Sequence, residues 1–448
     1  MNTRNPSNRK LWCFVIGFLL LVILLPVILA MLPIWDGPPV DDSDMEIVYR
    51  EIPDEQNAFE LFREAEAVMV PIPDVWNDWE EDPQAHADEI RVWMDANREA
   101  LRLLAEGVAL GDYQTPEVKR LEDTIPWITD SLVMGQMLRM KTLMESDPAK
   151  RMDLHLLRLR FAELSYQAGS SLIEASVGTH LYQVALQSVI EKLQNQETDT
   201  VNLRRFLAAL TELRMDEKRM VMGLKSDYRG MILHVEEIIR VGFDEYLDDW
   251  MNSPFVRPFM RPGRWGYQKE NSKRLILESY HHAIAYFRGD EALDQLNAKS
   301  IEIYEFIDGN EPLHRKFHNV KGKELVSQFI KDPEFILNRY HETLADLHAA
   351  RLVAALNLYH RKHGHLPDTL HALVPDLLDE VPADPFDGQP FRYLPAEARI
   401  YSIGKNREDN GGSIRVITRR RSTPDRNHTE DRVYGVFEEV ELERDPGR

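Results

Sequence analysis

"HETLADLHAARLVAALNLYHRKHGHLP", residues 341–367, decides how the C-terminal part of this chain is built. Ala349, Leu352, Val353, Leu356 and Tyr359 recur at helical spacing and fall on one face, with no proline or glycine before Gly364. Gly364, with Pro367 beyond it, ends the helix. "DTLHALVPDLL" (368–378) then reads as a short helix capped by Asp368. "VPADPFDGQPFRYLP" (381–395) is a joint, with four prolines and a tight turn at Asp387-Gly388. Beyond it the period falls towards two. "FRYL", "ARIYSIG", "SIRVITR" and "RVYGVFEEVEL" read as four short strands separated by turn-rich loops. A long helix followed by an antiparallel meander makes residues 336–448 a small α+β module.

Upstream, residues 55–335 read as a large all-helical domain. Asp54 is an N-cap for a helix with Phe59, Phe62, Ala65 and Met69 on one stripe. A second helix runs to Gly111, a third from Pro116 to before Pro148, and a fourth carries Ile173, Val177, Leu181 and Val184. "GSS" at 169–171 breaks the chain between helices. Residues 201–246 and 270–307 add more helix, and no period of 33–47 residues marks a solenoid. Met134, Met137, Met140 and Met144 form a stripe that reads as core filling. Residues 248–269 interrupt the pattern with prolines and glycines. There Phe255, Phe259 and Trp265 alternate with Arg257, Arg261 and Arg264, a basic-aromatic set suited to anionic headgroups or a protein partner. The bland reading is a connector whose aromatics anchor it.

The first forty residues place the protein. From Leu11 to Leu32 no residue is charged, a run that as a helix spans about 33 Å, enough for the hydrocarbon core of a bilayer. Arg4, Arg9 and Lys10 precede it; Asp36, Asp41, Asp42 and Asp44 follow. The positive-inside bias therefore makes residues 1–10 a cytoplasmic tail, 11–33 a single transmembrane helix and 34–54 a linker, with the bulk outside the membrane. Trp12 and Trp35 flank the span. A cleavable signal peptide fits less well, because Ile28-Leu29-Ala30 lacks the small-x-small pattern. The formal charge of −21 is concentrated in residues 36–391, which repels phosphate backbones and argues against nucleic acid as a partner. Cys13 is the lone cysteine, so no intramolecular disulfide forms. The expected fold class is mostly α: a transmembrane helix, an all-helical bundle and the small α+β module.

The order "LYHRKHGHLPDTLHALVP", "VPADPFDGQPFRY", "IYSIG" and "DNGG" resembles the C-terminal globular part of the major pseudopilins of type II secretion systems. The match covers about 348–412. The remainder is similar to membrane-anchored helical proteins of the bacterial envelope. The resemblance implies an inner-membrane location with a periplasmic bulk and a link to a secretion or pilus-like system. It also implies calcium in the loop after Tyr-Ser-x-Gly, where Asn406 and Asp409 lie, with Asp431 contributing later. Lys405 and Arg407 oppose a cation there, and the alternative is a plain turn held by Asp409, Asn410 and its glycines.

Catalytic motifs are scarce. Glu-x-x-His occurs at Glu278/His281 and at Glu311/His314, the second broken by Pro312. His360, His363 and His365 crowd a helix C-terminus, where the helix dipole favours them without a metal; His341 and His348 lie two turns apart. His281-His282 reads as one buried and one exposed imidazole. No phosphate loop, nucleophile elbow or redox Cys pair is present. The sequence therefore points to a membrane-anchored structural or interaction protein, without an assigned cofactor. The alternative is a tethered hydrolase or metal enzyme whose residues are scattered over helices; a polar cluster converging on Glu278 and His281 would favour it.

Overall fold

The computed structural model describes residues 15–22, 24–25, 36–49, 52–75, 86–119, 123, 125–194, 198–241, 268–288, 319, 334–412 and 431–437. The basic-aromatic set 255–265, the strand expected at 413–419, Glu311 and His314 lie outside these residues. The fold is mostly helical with a small antiparallel sheet. The chain divides into two compact units: residues 1–49, 117–123 and 220–333, and residues 50–116, 124–219 and 334–448. This division does not follow the boundary at 335/336 read from the pattern of helices and strands. The helix of the C-terminal module packs among helices that precede residue 220, and the second unit contains both.

In that unit the helices are α1 (Phe59–Val68), α2 (Ala87–Ala96), α3 (Arg98–Leu110), α4 (Pro126–Met144), α5 (Pro148–Ala168), α6 (Leu172–Gln194), α7 (Thr200–Glu212) and α10 (Glu334–His363). The strands β1 (Arg392–Leu394), β2 (Arg399–Ser402) and β3 (Arg432–Gly435) form an antiparallel meander in sequence order. Tyr393 pairs with Ile400, and Ile400 with Tyr434.

α10 is the centre. Its stripe was expected to bury one face, yet Ala345, Leu347, Ala349, Ala350 and every residue from Leu352 to Leu356 are buried. The reason is that α6 and α7 pack against it and so do β2 and β3. A helix covered on several sides is apolar nearly all round. Polar anchors fix its register. Arg351 Nε and Nη2 donate to the carbonyls of Leu210 and Leu213 (both 2.9 Å), satisfying the C-terminus of α7. Arg432 Nη2 and the Tyr434 hydroxyl both reach Asp346 Oδ1 at 2.7 Å, and Asn357 Nδ2 donates to the Val436 carbonyl.

The joint is organised by Asp384, which is fully buried. Its carboxylate accepts from the Ser402 hydroxyl (2.8 Å), the Ile403 and Phe386 amides (2.9 and 3.0 Å) and Arg392 Nη1 (3.3 Å). Burial pushes this carboxyl up from the usual range despite those donors. Gly388 takes a positive φ of 72°, which a turn here requires of glycine.

Several local readings change. Asp54 does not cap α1: it opens a 3-10 turn (Asp54–Gln56), Ala58 is the N-cap without a side-chain bond, and just before it Asn57 Oδ1 accepts from the amides of Phe59 and Gln114. The helix expected up to Gly111 is two helices, because buried Asn97 turns its amide back to the Trp93 carbonyl while its Oδ1 takes the Val70 amide. α4 starts at Pro126 instead of Pro116, with proline in its first turn. The segment after Pro367 is a 3-10 turn, Leu370–Leu373, without a side-chain cap from Asp368. Met134, Met137 and Met140 are core, as the stripe implied, while Met144 at the end of α4 is only half-buried.

The first unit holds α8 (Glu217–Val241) from Met220 onward and α9 (Lys269–Phe287). Residues 36–49, expected as a linker, are strapped to both. Asp36 accepts from the Glu270 and Asn271 amides at 2.9 Å, satisfying two of the donors that α9 leaves open at its start. Asp42 takes the Tyr228 hydroxyl (2.7 Å) and Lys273 Nζ (2.8 Å), and Met45 is buried. Residues 15–22 and 24–25 are helical, and their large apolar side chains are open: Phe18, Leu19, Leu20 and Leu21 each keep more than half their surface. Among the described residues no helix is long and apolar enough to cross a membrane.

Candidate functional site

Helices α4, α5 and α6 are placed by their N-termini. Asp147 caps α5 by accepting from the Ala149 and Lys150 amides. α6 opens with a capping box: the Ser171 hydroxyl takes the Glu174 amide while Glu174 Oε2 takes the Ser171 amide. Glu174 does more than cap. Oε2 also accepts from the Ser170 amide and both serine hydroxyls, and Oε1 from the Thr115 hydroxyl and Trp127 Nε1, each at 2.6 Å. The carboxylate is buried yet fully furnished with donors, and the space beside it is only about 10 Å³, room for no more than a water. Farther along, Gly178 lets α6 approach α5 closely; a Cβ there would lie inside van der Waals distance of the Tyr166 backbone.

Between these helices lies a larger cleft of about 230 Å³. Leu132, Gly135 and Leu138 of α4, Phe161 and Ala162 of α5, and Leu181, Val184 and Ala185 of α6 give it apolar walls. Arg139, Arg158, His180 and Gln136 supply its polar groups. Arg158 is 5% exposed and bonds only neutral oxygens, Ser188 Oγ at 3.0 Å and the Val184 carbonyl at 3.4 Å. A guanidinium carries five N–H donors, so most stay unused. Taking such a charge out of water costs several kcal/mol, and a neutral hydrogen bond returns about 1 kcal/mol. Burial and then the neighbouring Arg139 pull the Arg158 guanidinium down to about 10; Glu191 opposes them weakly.

His180 faces Arg339, whose Nη2 lies 3.1 Å from its Nδ1. Guanidinium can only donate, so Nδ1 accepts and Nε2 carries the proton. Burial first, and Arg339 second, hold this imidazole below its ordinary pKa, which keeps it neutral. The cleft is therefore an apolar slot with cationic and donor groups and no carboxylate among its lining residues. It can accept an anion; it lacks the nucleophile-base pair of a hydrolase.

The residues singled out from the sequence lie elsewhere. In the 404–412 loop, Asp409 Oδ1 takes the Gly411 amide and the Tyr401 hydroxyl, while its Oδ2 lies 3.5 Å from Arg392 Nε. Asp431 accepts from the Asn410 and Gly412 amides, and Asn406 Nδ2 donates to Asn410 Oδ1. These oxygens thus face donors. Glu278 is exposed, and His281 Nε2 binds Asp44 Oδ2 at 2.8 Å, so the two do not converge. His281 and His282 are both half-buried instead of one in and one out. His341 and His348 bond the Leu337 and Ala383 carbonyls through Nδ1. Among the described residues no three His, Cys, Asp or Glu side chains are grouped to hold a metal ion.

Arg139, Arg158 and His180 were not singled out in the sequence. An arginine in a helix is ordinarily a solvated residue, and only the packing of α6 over α5 makes Arg158 an exception. The one usable signal was the α6 stripe: Leu181 and Val184 line the cleft, while Ile173 is 56% exposed. No protein-family model matches this chain, and no curated protein or solved structure matches it significantly.

Proposed function

We propose that this chain is a single-pass membrane protein whose bulk, outside the cytoplasmic membrane, serves as a structural or interaction body. The observation that carries the reading is the helical residues 15–22 and 24–25, whose open leucines, valines and phenylalanine belong to an uncharged stretch of 22 residues. An open apolar helix surface of this kind is covered in the native setting, and lipid is the cover that its length and flanking charges fit. The strap sharpens the geometry. Asp36 is tied to the first turn of α9, three residues past the end of the span at 33, and a chain of three residues reaches about 11 Å at most. The N-terminal end of α9 is then held close to the bilayer surface instead of swinging on a tether.

What supports a pseudopilin-like reading of 336–448 is the long α10 backing an antiparallel meander, with Asp384 tying the joint to Ser402 and Ile403. A protein partner, in a secretion or pilus-like system, is the role that reading brings with it. The test is carbonate extraction of membranes from cells making the full chain, followed by protease added to spheroplasts. The chain should stay in the pellet and its bulk should be digested from outside. Release into the carbonate supernatant would overturn the anchor, and protection of the bulk would overturn the orientation.

A further inference from the structure

We propose that the cleft between α4, α5 and α6 binds a small organic carboxylate with a compact apolar body, the carboxylate seated on Arg158 and the body against Phe161, Leu181 and Val184. This does not rest on the membrane reading.

Three features converge. First, Arg158 is a buried guanidinium bonded, among the described residues, only to Ser188 Oγ and the Val184 carbonyl, so three of its five N–H donors remain for a ligand. The buried carboxylates of this unit each have a donor, although Asp346 Oδ2 and the buried His155 Nδ1 are left without one among the described residues. Glu163 has Arg160 at 2.9 Å and the Arg214 amide, Asp346 has Arg432, Asp384 has Arg392 and two amides, and Glu174 has its ring of donors. Second, Arg139 lines the same space, and His180 presents a neutral ring whose Nε2–H is a further donor. Third, the rest of the wall is apolar. A 150 Å³ apolar cavity takes a benzene ring, so about 230 Å³ suits a ligand on the order of ten non-hydrogen atoms. That size excludes a two-chain phospholipid and exceeds inorganic phosphate. A carboxylate matches the guanidinium fork bidentately.

The experiment is calorimetric titration of the purified full chain with 3-phenylpropanoate. Its matched alcohol, 3-phenylpropan-1-ol, and inorganic phosphate serve as comparison probes. The carboxylate should bind, and Arg158→Met should weaken it at least about tenfold, as expected for a charge-assisted hydrogen bond. The alcohol should bind more weakly and be indifferent to that change. Leu181→Trp, which fills the slot while leaving Arg158 in place, should abolish binding as well. The proposal is overturned if the carboxylate fails to bind the wild-type chain, if Arg158→Met binds it as well as wild type, or if the alcohol matches it. It is also overturned if inorganic phosphate competes as well as the organic anion. Circular dichroism of both variants accompanies the titration, and Arg158→Lys, which keeps the charge without the fork, should recover part of the binding if the site is as described.

Discussion

Two buried charges in one helical unit are handled in opposite ways. Glu174, at the start of α6, is surrounded by hydroxyls, amides and the Trp127 indole until nothing is left to satisfy. Arg158, on α5, is just as buried but holds two neutral oxygens and faces a cleft of about 230 Å³. The first arrangement belongs to the fold. It joins the 113–115 loop, α4 and the α5–α6 break through a single carboxylate. The second leaves electrostatic capacity unused, which is how a binding site differs from a structural network.

The sharpest way to break this comparison is Glu174→Gln. The amide keeps the shape but turns a donor towards donors, stranding either the capping-box side at Oε2 or both Thr115 and Trp127 at Oε1. We expect a loss of about 3–5 kcal/mol in urea unfolding of the full chain. A loss under about 1 kcal/mol would show that the network is ornamental. Next comes Gly178→Ala, which drives a methyl into the Tyr166 backbone and should cost about 1–3 kcal/mol, read from the same midpoint.

Acid should act through His155, which is buried, and through the half-buried His341 and His348. Burial holds His155 down to about 3, ahead of its cationic neighbours Arg158, Lys192 and Arg151, and holds His341 and His348 down to about 4. A depressed imidazole binds fewer protons in the folded state than in the unfolded. Its stability contribution is therefore complete above about pH 6.5 and lost as pH falls towards the folded value, with a limiting slope of about 1.4 kcal/mol per pH unit for each group. His155→Leu should flatten the unfolding profile between about pH 6 and pH 4; an unchanged profile would remove His155 from the account. The smallest effect should come from Arg158→Met. Ser188 can turn to a helix carbonyl and the Val184 carbonyl stays in its helix, so stability should remain within about 1 kcal/mol of wild type or rise slightly.

The asymmetry also governs what could be read in the sequence. Helices with terminal punctuation were legible: Gly111, Pro148 and Gly364 mark real ends, and Gly111 and Gly364 take positive φ. The meander after the joint was legible from its period of two in β1, β2 and β3. Where a polar side chain set the local geometry the sequence misled, as at Asn57 and Asn97, because which backbone group a side amide reaches depends on a partner far along the chain. The α10 stripe under-described a helix covered by elements from both ends of the unit. The cleft was illegible for a related reason. Its polar groups come from α4, α5 and α6, and in a helical sequence Arg158 looks like Arg160 two positions on. Yet Arg160 pairs with Glu163 and Glu212, while Arg158 has no carboxylate partner among the described residues.

Thermal unfolding of the full chain bearing either Glu174→Gln or Arg158→Met, in one detergent and at one pH, tests the contrast most directly. The account predicts a fall of several degrees for the glutamate variant and no fall for the arginine variant. An arginine variant that drops as far as its counterpart would mean that Arg158 is held by the fold for stability, and the distinction drawn between the two charges would be gone.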